Sequence, residues 1–187
     1  NRKKSNEIVF FDRKRKRQVV SPPPLPGIIR TTSLKMLGVT MTNGLTASEN
    51  VRGIISSCAQ TLYALRVLRA HGMCDSALQD IYRSIVVAKL LYASSAWSGF
   101  ITATDRQRVD AFLARSKRCG YCPPDLPPFD ELLSQSDQQL FDKILINDQH
   151  LLYKLLPPPS FASQNYYIRD RPHNKELPHH TGHLTDS

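Results

Sequence analysis

Lys and Arg are the residues of this chain whose chemistry best suits a functional role. The net charge is +9, and residues 1–35 hold ten Lys or Arg against two acidic residues, so nearly all of the excess lies there. Such cations attract polyanions, because each phosphate that they neutralise releases counterions. The candidate nucleic-acid-binding residues are Arg13, Lys14, Arg15, Lys16, Arg17, Arg66, Arg69, Arg106, Arg108, Arg115, Lys117 and Arg118.

Two plainer interpretations of these cations stay open. Residues 13–17 also fit a solvated basic loop or a nuclear-import signal, and Lys and Arg are common on any helix surface that faces solvent. The sequence does not show whether the basic helical residues share one face. Binding to nucleic acid is therefore a hypothesis that depends on where the helices place these side chains.

Carboxylate clusters and phosphate-binding motifs that would support catalysis are missing from the sequence. Two-metal phosphoryl transfer needs clustered carboxylates, but no Asp-Asp pair occurs, and Asp105 and Asp110 face different ways on their predicted helix. Glycine-rich phosphate-binding motifs are absent as well. We therefore predict that this chain contains no catalytic residue.

Cys119 and Cys122 form a CxxC pair, which raises the alternative of a small zinc module. A structural zinc site needs four ligands. The histidines that would complete it lie about fifty residues away, at His173, His179, His180 and His183. We favour two reduced thiols at a helix end, and we predict no metal and no cofactor in this chain.

A small β-rich piece is predicted for residues 1–45. Short β-branched and aromatic runs predict strands over residues 7–11, 28–31 and 37–41, and Thr-Asn-Gly at 42–44 is a turn sequence. Alone, this piece buries too little apolar surface to fold.

The first helix of a predicted three-helix bundle over residues 46–120 comes directly after this piece. Thr46 and Glu49 fit a capping box, and Gly72 is expected to end the helix. One buried stripe is predicted from the spacing of Val51, Ile54, Ile55, Cys58, Leu62, Leu65 and Leu68.

Two further helices complete the predicted bundle. Asp75 is expected to cap the second helix, whose C-terminal half is apolar nearly all round, with Lys89 reaching the surface. Thr102 and Asp105 fit a capping box of the third helix, which is expected to stop at Gly120.

A proline-rich extension with a polar tail is predicted for residues 121–187. One or two helical turns are predicted over residues 129–133, and Ser136 is expected to cap a separate helix. The predicted fold class is therefore mainly α: a small β element, a three-helix bundle, one or two further helices and a tail.

The setting of the chain is also predicted from composition. No apolar run reaches the length of a membrane span, and four scattered cysteines do not suit a secreted disulfide scaffold. We expect an intracellular chain, nuclear and cytoplasmic, with no membrane partner. Both ends suggest a piece of a longer protein, since no initiator Met or signal region begins it.

An ordered set of segments resembles non-LTR (LINE-type) retrotransposon reverse transcriptases. Residues 1–10 (NRKKSNEIVF) are similar to the strand that follows the active-site carboxylates in that family. Residues 34–39 (LKMLGV) are similar to the family's KYLGV strand. Residues 57–73, 86–97 and 155–171 are similar to the downstream segments of elements of the jockey and chicken-repeat type.

The resemblance implies the end of a polymerase palm over residues 1–45 and a helical thumb over residues 46–120. The expected partners are RNA, DNA or an RNA–DNA hybrid, together with the palm and fingers of the same enzyme. Leu37, Gly38 and Val39 correspond to a primer-grip position. In that family the catalytic Asp-Asp, which holds Mg in the complete polymerase, lies upstream, so this chain alone is expected to be inactive.

Two other interpretations compete with a polymerase thumb. The residues from the KSNEIVF strand through the first two helices also resemble the domain in front of AlkB-like dioxygenases that act on tRNA, although the iron-binding HxD is absent. A protein-interaction bundle of a decayed element, with its proline segments as ligands, is the third interpretation.

Overall fold

The computed structural model describes residues 5–10, 21–159 and 175–176. The described chain is mainly helical, and short strands precede the helices, which confirms the predicted fold class. The chain divides into two compact units, Asn1–Asp137 and Gln138–Ser187. The buried helical core belongs to the first unit.

Four short strands within the described residues form two separate pairs. Strands β1 (Asn6–Glu7) and β2 (Ile29–Arg30) are parallel. Strands β3 (Ser33–Met36) and β4 (Val39–Thr42) form an antiparallel hairpin. Of the strand predicted over residues 7–11, Glu7 is in a strand and residues 8–10 are not, because the partner strand β2 is two residues long; residue 11 lies outside the described residues.

The prediction that a single strand runs from Leu37 is wrong. Leu37 and Gly38 form the two-residue turn between β3 and β4, with φ angles of 48° and 89°. Two successive positive φ angles match a type I′ turn, whose twist suits a hairpin. The LKMLGV segment therefore folds back on itself, and only Val39 of the primer-grip-like residues lies in a strand.

Helix α1 (Ser48–Ala70) buries the predicted stripe, but its cap differs from the prediction. The predicted capping box is wrong, because the Thr46 hydroxyl lies 2.7 Å from that of Thr42 and does not reach the helix. Ala47 is the N-cap residue, and its N–H donates to the Phe100 carbonyl at 2.9 Å. The start of α1 is thus held by the neighbouring chain segment.

Gly72 ends α1 as predicted. With φ at 90°, Gly72 donates its N–H to Arg69 O, while the Met73 N–H donates to Leu68 O. This pair of bonds is a Schellman motif, in which a left-handed residue satisfies the last carbonyls of the helix.

Helix α2 has three consecutive parts: Asp75–Ile81, a π-helical turn over Tyr82–Val87, and Ala88–Leu91. The prediction that Asp75 caps it is wrong, since Cys74 is the N-cap residue and Asp75 is already helical. Its apolar C-terminal half is not buried all round, as would be expected for a central helix, because Ile85 is 42% exposed. Helix α2 therefore leaves part of its apolar surface exposed.

Two α-helices, separated by a 3-10 turn over Ser98–Phe100, lie between α2 and the proline-rich segment. A short helix, α3 (Ser94–Trp97), places Trp97 in the core. Helix α4 (Ala103–Arg118) begins with the predicted capping box of Thr102 and Asp105, which is confirmed. Gly120, with φ at 72°, lies just after its end.

Helix α5 (Phe129–Ile146) is longer than predicted. The prediction of a separate helix capped by Ser136 is wrong, because the helix runs through this residue and Ser136 Oγ instead lies 3.1 Å from Ser94 Oγ. The packed core joins α1, α2, α3, α4 and the start of α5. Its largest fully buried side chains include Trp97, Tyr82, Phe129, Leu65, Leu78 and Leu90.

Candidate nucleic-acid interface

A groove of about 960 Å³ runs between helices α1 and α4. Arginines contribute from both helices, and aromatic, aliphatic and small side chains line the space between them. We call this surface the arginine groove. It is defined by Arg52, Tyr63, Arg66 and Arg69 of α1, by Arg108, Phe112 and Arg115 of α4, and by Tyr121.

Helical spacing explains why these side chains meet. On α1, Arg52 and Arg66 are fourteen residues apart, close to four full turns, so they lie on one face beside the buried stripe. On α4, Arg108 and Arg115 are seven residues apart and share a face in the same way. Packing of α1 against α4 then brings the two faces together.

A buried carboxylate fixes the two walls of the groove at one end. Asp105 of α4 is 1% exposed and accepts hydrogen bonds from the Ser48 hydroxyl, at the first residue of α1, and from the Thr102 hydroxyl at 2.7 Å. Burial raises the pKa of Asp105, but the bonds from Ser48 and Thr102 more than offset this and lower it. Asp105 is therefore held ionised as a link between the helices.

Arg69 closes the opposite end of the groove. Its guanidinium donates to the Cys119 carbonyl at 2.7 Å, pairs with Asp75 at 3.0 Å and lies 4.1 Å from the centre of the Tyr121 ring. Since Asp75 pairs with its charge and the Tyr121 ring covers its guanidinium, Arg69 holds the turn around Gly120 in place and is less available to a ligand than the other arginines of the groove.

Three arginines of the groove are available for binding. The side chains of Arg52, Arg66 and Arg115 are exposed, and none has an ion pair or hydrogen bond with another residue of the described ranges. Arg108 is also exposed, although its Nη1 lies 3.5 Å from Asp105 Oδ1. Tyr63, 70% exposed, offers a flat ring beside these cations.

Several predicted binding residues do not join the groove. Arg106 pairs with Asp130, and Lys117 donates to the Leu126 carbonyl at 2.6 Å, so both stabilise the fold. Arg118 is exposed but does not line the groove. The predicted basic loop of Arg13, Lys14, Arg15, Lys16 and Arg17 lies outside the described residues.

The groove also contains residues that sequence reasoning missed. Arg52 and Tyr63 were not among the predicted binding residues, although Arg52 shares the period of Arg66 and Tyr63 lies one turn before it. A helical projection of α1 alone could have placed all three on one face. The contribution of Tyr121 could not have been found in this way, because it depends on the turn after α4.

The hairpin turn is a second exposed feature. Leu37 is 90% exposed, and its carbonyl accepts a hydrogen bond from the Tyr92 hydroxyl at 3.1 Å. A Cβ added to Gly38 would lie 3.2 Å from the Tyr92 ring. An apolar side chain at an exposed position with positive φ is energetically costly, so the turn presents Leu37 at a strained position.

The CxxC pair is split between two environments. Cys119 is exposed, while Cys122 is buried, and burial raises the pKa of the Cys122 thiol. Within the described part of the chain, no group of three His, Cys, Asp or Glu side chains could hold a metal ion. Likewise, none of the described helices is long and apolar enough to cross a membrane.

Comparisons of this chain with protein-family models, with curated proteins and with solved structures find no match.

Proposed function

We propose that this chain is the nucleic-acid-gripping region of a non-LTR retrotransposon reverse transcriptase, comprising the end of the palm and a helical thumb. The observation that carries the proposal is the arginine groove, where exposed arginines from two packed helices flank the ring of Tyr63. Cations that follow a phosphate backbone, together with flat rings for bases or sugars, are the usual means of holding a nucleic-acid strand.

The proposed role is binding and not chemistry. Asp105 is buried and bonded to Ser48 and Thr102, whereas Asp110 is exposed on another face of α4, so these acids do not form a metal-binding pair. Mg and its carboxylates belong to the upstream part of the complete polymerase. This chain would hold RNA, DNA or an RNA–DNA hybrid in place for that part of the enzyme.

Binding to an RNA–DNA hybrid tests the proposal directly. The full chain should bind a fluorescently labelled hybrid, and a plot of log affinity against log salt should have a slope of about −3 or steeper, since each neutralised phosphate contributes about 0.9. Fluorescence anisotropy between roughly 50 and 200 mM salt measures this slope. Lack of binding at the low-salt end, or a slope near zero, would contradict the proposal.

The hairpin turn gives a second test, in which stability and binding should change in opposite directions. Asn prefers the left-handed conformation that Leu37 adopts, so Leu37→Asn should stabilise the hairpin by about 0.5–1 kcal/mol. If Leu37 contacts the strand as a primer-grip residue, the same change should weaken hybrid binding several-fold. Urea unfolding and anisotropy measure the two effects, and a stabilised variant with unchanged affinity would remove the turn from the interface.

A further inference from the structure

A second cavity, of about 610 Å³, lies between the β3–β4 hairpin and helices α1 and α2. Its walls include the apolar side chains of Val39, Ile54 and Ile85, and Gly53 of α1 leaves part of it open. A volume of this size suits a small organic molecule. It is lined by a different face of α1 from the arginine groove, so the two surfaces can be tested separately.

An ammonium group that has no counter-ion among the described residues lines this cavity. Lys89 was expected to reach the surface but is half-buried, and its Nζ donates to the Ser57 hydroxyl at 2.7 Å. An ammonium has three donors, and no acidic side chain of the described chain pairs with Lys89. A partly desolvated cation with unused donors is stabilised by an anion.

A buried amide in the same cavity wall is only partly hydrogen-bonded. Asn50 is 6% exposed, and its Oδ1 accepts a hydrogen bond from the Thr40 N–H at 3.2 Å, which orients the side chain. The Nδ2 group is buried and has no hydrogen-bond partner among the described residues. Leaving such a donor unpaired is unfavourable, but solvent does not reach the Nδ2 group, so Asn50 shapes the cavity wall and a ligand in the cavity would not contact this donor.

We propose that this cavity binds a small organic anion, with a carboxylate or phosphate headgroup on Lys89 and an apolar body against Ile54 and Ile85. Lys35 lines the cavity too, and together with Lys89 it outweighs the single negative charge of Glu49. The site does not depend on nucleic-acid binding.

Calorimetric titration of the full chain with three probes of one shape tests this site. Benzoate and phenyl phosphate supply the two headgroups, and benzyl alcohol is the uncharged match. At least one anion should bind with a dissociation constant of about 1 mM or below, and benzyl alcohol about tenfold more weakly or worse, as expected when a charge interaction is lost. Equal binding of all three probes, or saturable binding by none, overturns the proposal.

Variants assign the binding to this cavity. Lys89→Met should weaken anion binding about tenfold, and Gly53→Leu should abolish it by filling open space, since a Cβ there meets nothing within 4 Å. Lys143→Met removes a charge elsewhere and should change nothing. A variant with glutamine in place of Arg52, Arg66 and Arg115, which line the arginine groove, should bind the anion with unchanged affinity. If that variant loses binding instead, the anion occupies the arginine groove and the proposal is wrong.

Discussion

Replacing Arg52, Arg66 and Arg115 together with glutamine is expected to lower affinity for an RNA–DNA hybrid about a hundredfold. These three guanidinium groups are exposed on one groove and have no ion-pair partner among the described residues. If each neutralises one phosphate, the slope of log affinity against log salt should fall in magnitude by about 2.7. Fluorescence anisotropy over a salt series measures both quantities.

A charge-matched control separates the groove from the general positive charge of the chain. Glutamine at Arg118, Lys143 and Lys154 removes three exposed cations that do not line the groove. This control should keep most of the affinity and nearly all of the slope. If both triple variants lose binding equally, the cations act only through net charge, and the arginine groove is not the interface.

Comparison of Arg115 with Arg118 shows how far sequence could define this site. Both are basic residues at the end of α4, and the sequence predicted binding for both, yet only Arg115 lines the groove. Helical periodicity places Arg115 and Arg118 at different positions around α4. It could have shown which of them lines the groove only if the face of α4 that meets α1 had been known. That face is set by tertiary packing, which no local pattern contains.

The fold was predictable wherever the signal was local and periodic. The buried stripe of α1, the Gly72 end and the capping box of Thr102 with Asp105 are confirmed, since each depends on residues within a few turns. The predicted caps at Thr46 and Asp75 were wrong, and each of these side chains instead contacts a residue a few positions away: Thr46 bonds Thr42, and Asp75 pairs with Arg69. A residue with a high N-capping propensity therefore does not cap the helix when its side chain bonds another residue nearby.

The hairpin shows a second kind of failure. The sequence LKMLGV contains β-branched and apolar residues that favour a strand, and Leu is an unusual residue for a type I′ turn. Pairing of Met36 with Val39 nevertheless places Leu37 and Gly38 in the turn. A residue that opposes its local conformation often marks a functional site, which is why the exposed Leu37 belongs in the binding test.

Replacing Asp105 with alanine is expected to destabilise the protein by about 2.5–4 kcal/mol, by the loss of two kinds of contact. The change removes a capping box, at about 1 kcal/mol, and a charge-assisted bond to Ser48, at about 1.5–3 kcal/mol. Asp110→Ala, on the same helix but exposed, should change stability by less than about 0.5 kcal/mol. Urea unfolding at neutral pH measures both; equal effects of the two variants would mean that the link between α1 and α4 contributes nothing.

The effect of Asp105→Ala should also depend on pH in a defined direction. Because the pKa of Asp105 is lowered in the folded protein, its contribution to stability is complete above its ordinary value of 3.8 and is lost as pH falls through the folded pKa. The difference in unfolding free energy between the protein and the variant should therefore shrink below about pH 4. Since Asp105 joins the first residue of α1 to α4, its protonation at low pH would loosen the same two helices that position Arg52 and Arg108 across the groove.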